Sequence, residues 1–346
     1  MLFIIFADRF FRTLNTAAGT SFTETLAKQF NHPEWFGSTF YDIIMPLFLF
    51  VVGAVIPFSL SKRMQENTSK STLYLKLLKR FVLLFILGWI VQGNLLKLDS
   101  EEFRIFSNTL QAIAVGYFFS CISYIHLTKK WRYFVFVSCL ISYALLLSVT
   151  NVPGLGQSEL LPDQNLALYI DRFVFGKFDD GTQYTWLLSG FGFTATTLSG
   201  IFAGELIKSK HPRKKVAMYL MIYGIIGLSI GLIWGIWHPI VKKIWTSSFV
   251  LASSGICFLL LAFFYWVIDV KGKIKWAFPL KVIGSNAITA YVLSHVFNFP
   301  IIANYLLFGL EKYLGAYYEV INTIGGFGLI YLLLWYMHKN NTFIKI

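Results

Sequence analysis

The chain has 346 residues, of which 56% are hydrophobic and only 14% are charged, and its mean hydropathy is +0.62. These values exclude an ordinary soluble domain, in which about 25% of residues are charged. The formal charge of +13 lies in short loops between apolar runs. It therefore indicates orientation in a membrane and contact with anionic lipid headgroups, and it argues against nucleic-acid binding.

Apolar windows of about 20 residues, the length of a helix that crosses a bilayer, follow one another along the chain. They lie at 39–60, 73–93, 105–126, 132–150, 184–207, 216–236, 245–268, 277–300 and 319–337. A further crossing is cut short, because Met1 to Ala7 is apolar but too brief to span; we expect an upstream start or a late start codon. The sequence predicts an all-α, polytopic membrane helix bundle of about ten crossings.

Basic residues mark alternate loops, which the positive-inside rule places in the cytoplasm. They are Lys62, Arg63, Lys70, Lys76, Lys79 and Arg80, set against Glu66, then Lys129, Lys130 and Arg132, then Lys208, Lys210, Arg213, Lys214 and Lys215, then Lys271, Lys273 and Lys275. Lys339 and Lys345 return the tail to the same side. Both termini are thus expected in the cytoplasm and the loop bearing His32 outside. Lys242 and Lys243 are an exception, since this scheme places these two basic residues outside.

No repeat, heptad or Pro- or Ser-rich linker divides the chain, so residues 1–346 are predicted to form a single domain. The outside connection at about 151–183 is long for a compact protein and is able to cover a site. The three cysteines lie in apolar segments as small hydrophobes. The six histidines show no close helical pairing, and we expect no metal.

The stretch from Asp8 to Gly53 is the most informative for chemistry. Pro33 pushes His32 out of helical geometry, so that its ring can project, and histidine serves as nucleophile or base near neutral pH. A purely interfacial histidine beside Trp35 is the alternative. Asp8 and Asp42 are ionisable groups near membrane depth, which suggests function, although Asp42 also suits a helix start.

Other polar residues lie inside the apolar runs, where hydrogen bonding between helices is their ordinary use. They are Asn108 and Gln111, the hydroxyl cluster Thr246, Ser247 and Ser248, and the group Ser285, Asn286 and His295.

Several stretches together resemble the transmembrane heparan-α-glucosaminide N-acetyltransferase family and its bacterial NagX-type and DUF5009 relatives. They are HPEWFGSTFYDIIMPLFLFVVGAVIPFSLSKR from His32, SNTLQAIAVGYFF from Ser107, HPIVKKIWTSSFVLASSG from His238, YWVIDVKG from Tyr265 and GSNAITAYVLSH from Gly284. Three departures are present: the Arg-Gly pair of the first helix is missing, Ala112 replaces a basic residue, and Val241 replaces an asparagine.

The resemblance implies transfer of an acetyl group from cytoplasmic acetyl-CoA to the amine of glucosamine or a related amino sugar on the outer side. It places the active-site histidine at His32, its polar partner at Asp8 and a second histidine at His295. Acceptor-binding residues are expected at Trp35, Asp42, Lys242, Trp245, Asn286 and His295, and donor-binding residues at Asn108, Gln111 and Ser248. His32 would act either as an acetyl carrier or as a general base.

The resemblance also implies a homodimer in a bacterial inner membrane. Two other functions stay open on the sequence. One is a multi-spanning transporter, which inverted repeats or broken midplane helices would favour. The other is an O-acyltransferase for envelope polysaccharide, which would share the donor and differ in the acceptor.

Overall fold

A computed structural model describes residues 1–65, 69–93, 95–96, 98–99, 101–154 and 156–344. Glu66 and Lys345, which entered the orientation argument, lie outside the described residues. The fold is helical, and its strands β1 (Asn151–Val152) and β2 (Gly156–Gln157) form one antiparallel pair in the connection between α6 and α8. The predicted all-α class is confirmed.

The α-helices, in chain order, are α1 (Asp8–Ala18), α2 (Ser21–Gln29), α3 (Ile44–Gln65), α4 (Lys70–Val91), α5 (Thr109–His126), α6 (Lys129–Val149), α7 (Leu166–Phe175), α8 (Gly190–Lys208), α9 (Arg213–Trp234), α10 (Ser247–Tyr265), α11 (Phe278–Ser285), α12 (Ala287–Val296), α13 (Phe299–Leu307), α14 (Glu311–Leu314) and α15 (Tyr318–Lys339). π-Helical turns occupy Phe3–Ala7 and Trp266–Val270. Short 3₁₀-helices occupy Phe40–Ile43, Gly176–Phe178, Lys275–Ala277, Phe308–Leu310 and Gly315–Tyr317.

Among the described residues, five helical segments are long and apolar enough to cross a membrane. They are Phe40–Lys62, Lys129–Val149, Arg213–Trp234, Ser247–Val270 and Phe299–Lys339. An integral membrane protein follows from these segments. The windows at 73–93, 105–126 and 184–207 also form helices, which are α4, α5 and α8, but these helices are not long and apolar enough by the same criterion. The count of about ten crossings is therefore not confirmed. In α4 the reason is visible, because Lys76, Lys79 and Arg80 interrupt its apolar run.

Two expectations about helix limits are wrong. The window at 277–300 is not one helix, since the chain leaves helical geometry at Asn286 and again at Phe297 and Asn298. Asp8 follows the short apolar segment Met1 to Ala7 and was expected near the end of the truncated first helix, and this expectation is also wrong. That helix continues to Ala18 and stops at Gly19, whose φ of 58° is the left-handed geometry that commonly ends a helix.

The chain groups into two compact units, and the prediction of a single domain stays a prediction. The first unit contains Met1–His32, Thr39–Ile44 and Lys273–Ile346. In it, α15 packs against α13, α1 and α11. A small apolar core there joins the first residues of the chain to α11, α12 and α15.

The second unit contains Pro33–Ser38 and Met45–Gly272. Its close helix crossings depend on glycine: a Cβ at Gly200 of α8 would lie 2.0 Å from the Phe50 carbonyl oxygen of α3. The long connection at about 151–183 is folded rather than loose. Asp171 of α7 is buried there and accepts hydrogen bonds from the backbone nitrogens of Trp186 (2.5 Å) and Leu187 (3.1 Å), just ahead of α8.

Candidate functional site

His32 lies between α2 and the 3₁₀-helix Phe40–Ile43, outside regular structure, and it is paired with Asp42. The Nδ1 atom of His32 is 2.6 Å from Oδ1 of Asp42. The His32 side chain is 36% exposed, whereas the Asp42 side chain is fully buried. This pairing holds Nδ1 toward the carboxylate, so chemistry on a substrate would fall to Nε2.

Asp42 is also the third residue of its short helix. Its Oδ2 accepts hydrogen bonds from the backbone nitrogen of Thr39 at 2.8 Å and from the Thr39 hydroxyl at 3.2 Å. That hydroxyl has a single proton, which it shares between Oδ2 and the nearer Asn31 carbonyl oxygen at 2.8 Å. Asp42 therefore both caps its short helix and faces His32, and the cap fixes the orientation of its carboxylate. The helix-start interpretation and the functional interpretation are compatible.

A cavity of about 380 Å³ lies within the first unit. Its polar lining includes Asp8 and Arg9 of α1, Tyr41, and His295 near the end of α12. Asn298 caps α13 in the gap between α12 and α13, and this gap forms one wall of the cavity. Non-helical backbone at membrane depth is tolerated where it lines a polar cavity, and the helix break and the cavity are therefore one feature.

Two charged groups in the cavity have identified partners. Asp8 forms an ion pair with Arg12 one turn along α1, with Nε and Oδ1 2.6 Å apart. Arg9 approaches Glu319 of α15 at 3.9 Å. The His295 ring contacts the Tyr291 ring, and its Nδ1 lies 2.8 Å from the Tyr291 carbonyl oxygen. Nδ1 thus carries a proton and donates it to that carbonyl.

The structure therefore brings together, in one unit, five of the predicted site residues: Asp8, His32, Asp42, Asn286 and His295. Of these, Asp8 and His295 line the cavity. Asn286 is buried between α11 and α12, where its amide donates to the Thr342 carbonyl and accepts from the Ile344 nitrogen, both at 3.1 Å. Its amide therefore holds the C-terminal tail.

The other predicted residues lie in the second unit. Trp35 is buried, donates from its indole nitrogen to the Leu160 carbonyl at 2.7 Å, and lies under the Lys243 ammonium at 5.7 Å. Lys242 lies over the Tyr184 ring, also at 5.7 Å.

Trp245 and Ser248 are held inside the same unit. Trp245 is buried with a φ of 50°, and its indole nitrogen donates to Thr196. The Ser248 hydroxyl donates to the Pro239 carbonyl at 3.2 Å, which ties the start of α10 to the loop before it.

Asn108 and Gln111 form a buried polar cluster at the start of α5. The Asn108 side chain caps the helix by accepting from the nitrogens of Leu110 and Gln111. The Gln111 amide accepts from the Ser107 nitrogen at 2.8 Å and donates to the Ile105 carbonyl at 3.0 Å. Both side chains therefore shape the turn that enters α5.

Two residues were missed by sequence reasoning, one in each unit. Tyr41 lines the cavity and contacts the His32 ring at 5.1 Å between centroids, and its position next to Asp42 was the available signal. Asp171 carries a buried carboxyl in the long connection at about 151–183. Burial and the neighbouring carboxylates of Asp179 and Asp180 raise the pKa of Asp171 to about 7, although the two backbone hydrogen bonds act in the opposite sense.

Comparison with known proteins adds a separate line of support. Residues 22–147 match the model of a domain of unknown function, DUF5009. Human heparan-alpha-glucosaminide N-acetyltransferase is 26% identical over 334 residues, which is 78% of this chain and 49% of that protein. The mouse protein of the same name is 25% identical over 382 residues, 92% of this chain and 56% of that protein.

The apolar helices define an integral membrane protein, and the proteins to which it is similar carry the name of acetyltransferases. The resemblance drawn from the motifs is confirmed: the chain is similar to the heparan-α-glucosaminide N-acetyltransferases and contains the DUF5009 match. The chain spans about half the length of the curated relatives it matches.

Proposed function

We propose that this protein is a membrane-bound acetyltransferase. It moves an acetyl group from cytoplasmic acetyl-CoA to the amine of glucosamine or a related amino sugar on the outer, periplasmic side. The observation that carries the proposal is the pairing of His32 with the buried Asp42 in the unit whose cavity is lined by Asp8 and His295. A histidine oriented by a carboxylate is a common arrangement for acyl transfer.

The chemistry requires a neutral amine and a place for its protons. The Asp8 carboxylate attracts the acceptor as an ammonium, and His32 takes a proton at Nε2. In direct transfer, the amine nitrogen bonds to the acetyl carbon, the carbon–sulfur bond of the thioester breaks, and the thiolate is protonated to the free thiol. Alternatively, Nε2 of His32 first bonds to the acetyl carbon, the carbon–sulfur bond breaks and the thiolate is protonated; the amine, which loses its proton to Asp8, then bonds to the acetyl carbon as the bond to Nε2 breaks. Asp42 stabilises the charged ring in either route.

The anionic donor approaches through the basic cytoplasmic loops, because its phosphates do not enter the hydrocarbon core. Asn108, Gln111 and Ser248 are assigned to donor binding; their hydrogen bonds fix the start of α5 and the start of α10. Trp35, Lys242 and Trp245 contribute to the outer face. Asn286 acts indirectly, through the tail that it holds. The remaining features of the proposal are about ten crossings, both termini in the cytoplasm, a bacterial inner membrane and a homodimer.

A transporter is the second candidate, favoured by one observation. The helix between 277 and 300 is broken twice, and the second break lines the cavity. Broken helices at mid-membrane are typical of carriers. Such a break also suits an enzyme that must admit a polar acceptor, so transport has to be separated from transfer by experiment.

The test uses the purified full chain in detergent, with labelled acetyl-CoA and with either glucosamine or glucose as acceptor. We expect acetylated glucosamine from the wild type, no product from His32→Ala, and full activity from the control Glu34→Gln, since Glu34 is exposed. Transfer to glucose but not to glucosamine would favour the O-acyltransferase. Glucosamine uptake into proteoliposomes without acetyl transfer would favour the transporter and overturn the proposal.

A further inference from the structure

Tyr41 lies between the His32 ring and the cavity of the first unit. Its ring packs against the His32 ring with centroids 5.1 Å apart. The Asp8 carboxylate and the Arg12 guanidinium lie in the neighbourhood of its hydroxyl. Tyr41 also lines the cavity together with Asp8 and His295. One side chain thus contacts the His32 ring and lines the same cavity as the acidic group, Asp8.

The backbone explains why one residue reaches both groups. Tyr41 and Asp42 are consecutive in the 3₁₀-helix Phe40–Ile43, so their side chains leave the helix about one third of a turn apart. Asp42 is fixed by Thr39 and faces Nδ1 of His32. Tyr41 packs against the ring of the same histidine and extends toward α1. The cap that holds Asp42 therefore also fixes Tyr41.

The hydroxyl has a defined effect on Asp8. A phenol that donates to a carboxylate stabilises the negative charge and restricts the rotation of the carboxylate. The Arg12 ion pair does the same from the next turn of α1. Together these contacts fix an oriented anion at the cavity wall, and such a group attracts an ammonium and sets the direction from which it binds.

We propose that Tyr41 is a positioning residue that aligns the amino group of the acceptor between Asp8 and His32. Its hydroxyl orients Asp8, which binds the amine, and its ring fixes the plane of His32, which receives the proton. This inference rests on the proposed acetyl transfer. It assigns two separable tasks to two parts of one side chain, and two substitutions can test them independently.

The first substitution, Tyr41→Phe, keeps the ring and removes the hydroxyl. Loss of a hydrogen bond to a charged group is expected to raise KM for glucosamine about tenfold, while kcat and the KM for acetyl-CoA stay within about twofold. The second, Tyr41→Leu, removes the ring as well and is expected to lower kcat in addition, because His32 loses its packing partner. Tyr305→Phe is the matched control, since Tyr305 is 76% exposed and does not line the cavity.

Two results would overturn the assignment. One is an unchanged KM for glucosamine in Tyr41→Phe. The other is an equal rise in the KM for glucosamine and the KM for acetyl-CoA, because an equal rise would indicate a merely structural role. Thermal unfolding identifies variants that fail to fold, and Tyr41→Phe alone decides the question if Tyr41→Leu does so. If the wild type binds glucosamine in calorimetry without acetylating it, the proposed function fails, and weaker binding by Tyr41→Phe still supports the positioning role.

Discussion

His32 and Asp42 are ten residues apart in the chain, yet Nδ1 of the histidine and Oδ1 of the aspartate lie 2.6 Å apart. The buried carboxylate accepts from His32 on one oxygen and from Thr39 on the other. A charge buried with this set of partners is stabilised only in one orientation. The histidine plane is thereby fixed before any substrate binds.

Asp42→Asn tests this arrangement. The amide keeps the shape of the side chain but no longer stabilises a charged imidazole, so we expect kcat to fall about 100-fold with a smaller change in KM. Acetyl transfer measured at saturating substrate checks the result. Glu34→Gln serves as control because it also neutralises a carboxylate in the same stretch, on an exposed side chain. Full activity in Asp42→Asn would show that the pairing does not contribute to catalysis.

Gly200→Ala tests the crossing of α3 and α8. The new Cβ would lie 2.0 Å from the Phe50 carbonyl oxygen, so the two helices must separate, at a cost of about 1–3 kcal/mol in the free energy of unfolding. Thermal unfolding in detergent provides the measurement. Gly328→Ala of α15 is the control, since a Cβ there meets nothing within 4 Å. Equal unfolding temperatures for the two variants would contradict the close approach.

Asp171 gives the long connection at about 151–183 a specific pH dependence. The folded protein keeps the proton of this carboxyl up to about pH 7, whereas an unfolded aspartate releases it near pH 4. The folded state therefore binds more protons between these values, and stability is expected to fall as pH rises through them, by on the order of a few kcal/mol. Unfolding temperatures measured from pH 4 to 8 should show a shallower decline in Asp171→Asn.

The control for that measurement is Asp163→Asn. Arg172 lowers the pKa of Asp163, so its contribution to stability is present above its ordinary pKa and is lost only at more acidic pH. The decline between pH 4 and 7 should survive this substitution. If Asp171→Asn also leaves the decline intact, another group is responsible for it.

Cysteine labelling tests the orientation. We expect Glu34→Cys to react with an impermeant thiol reagent added outside intact cells, and Lys214→Cys to react only after permeabilisation. Both side chains are exposed, so burial does not explain a difference between them. The background needs replacement of Cys121, Cys139 and Cys257. The reverse pattern would invert the membrane orientation.

Local signals made part of this structure predictable. Pro33 places His32 outside a helix, and the spacing of Thr39 and Asp42 is a helix-start pattern. The direction in which these side chains face depends on how the chain folds back over ten residues, so the sequence did not indicate that Asp42, and not Asp8, lies against His32. Tyr41 was missed for the same reason.

The broken helix shows the opposite case. Apolar residues continue through 277–300, so hydropathy predicts one crossing, although Asn298 followed by Phe299 and Pro300 is a helix-start signal. The structure follows that local signal: Asn298 caps α13, and Pro300 lies in its first turn. Hydropathy indicates whether a segment prefers the bilayer to water. It does not indicate whether the segment forms one continuous helix.

The gap between α12 and α13 has a consequence for solvent. Helix ends leave backbone groups without partners in the same helix, and such groups at bilayer depth require water or a ligand. The amides of Phe297 and Phe299 donate to the Leu293 and Phe297 carbonyls, so deuterium from the medium should reach the Asn298 amide sooner than the amides in the middle of α15. An acceptor that fills the cavity should slow this exchange, and the isotope would then report occupancy of the cavity without any turnover.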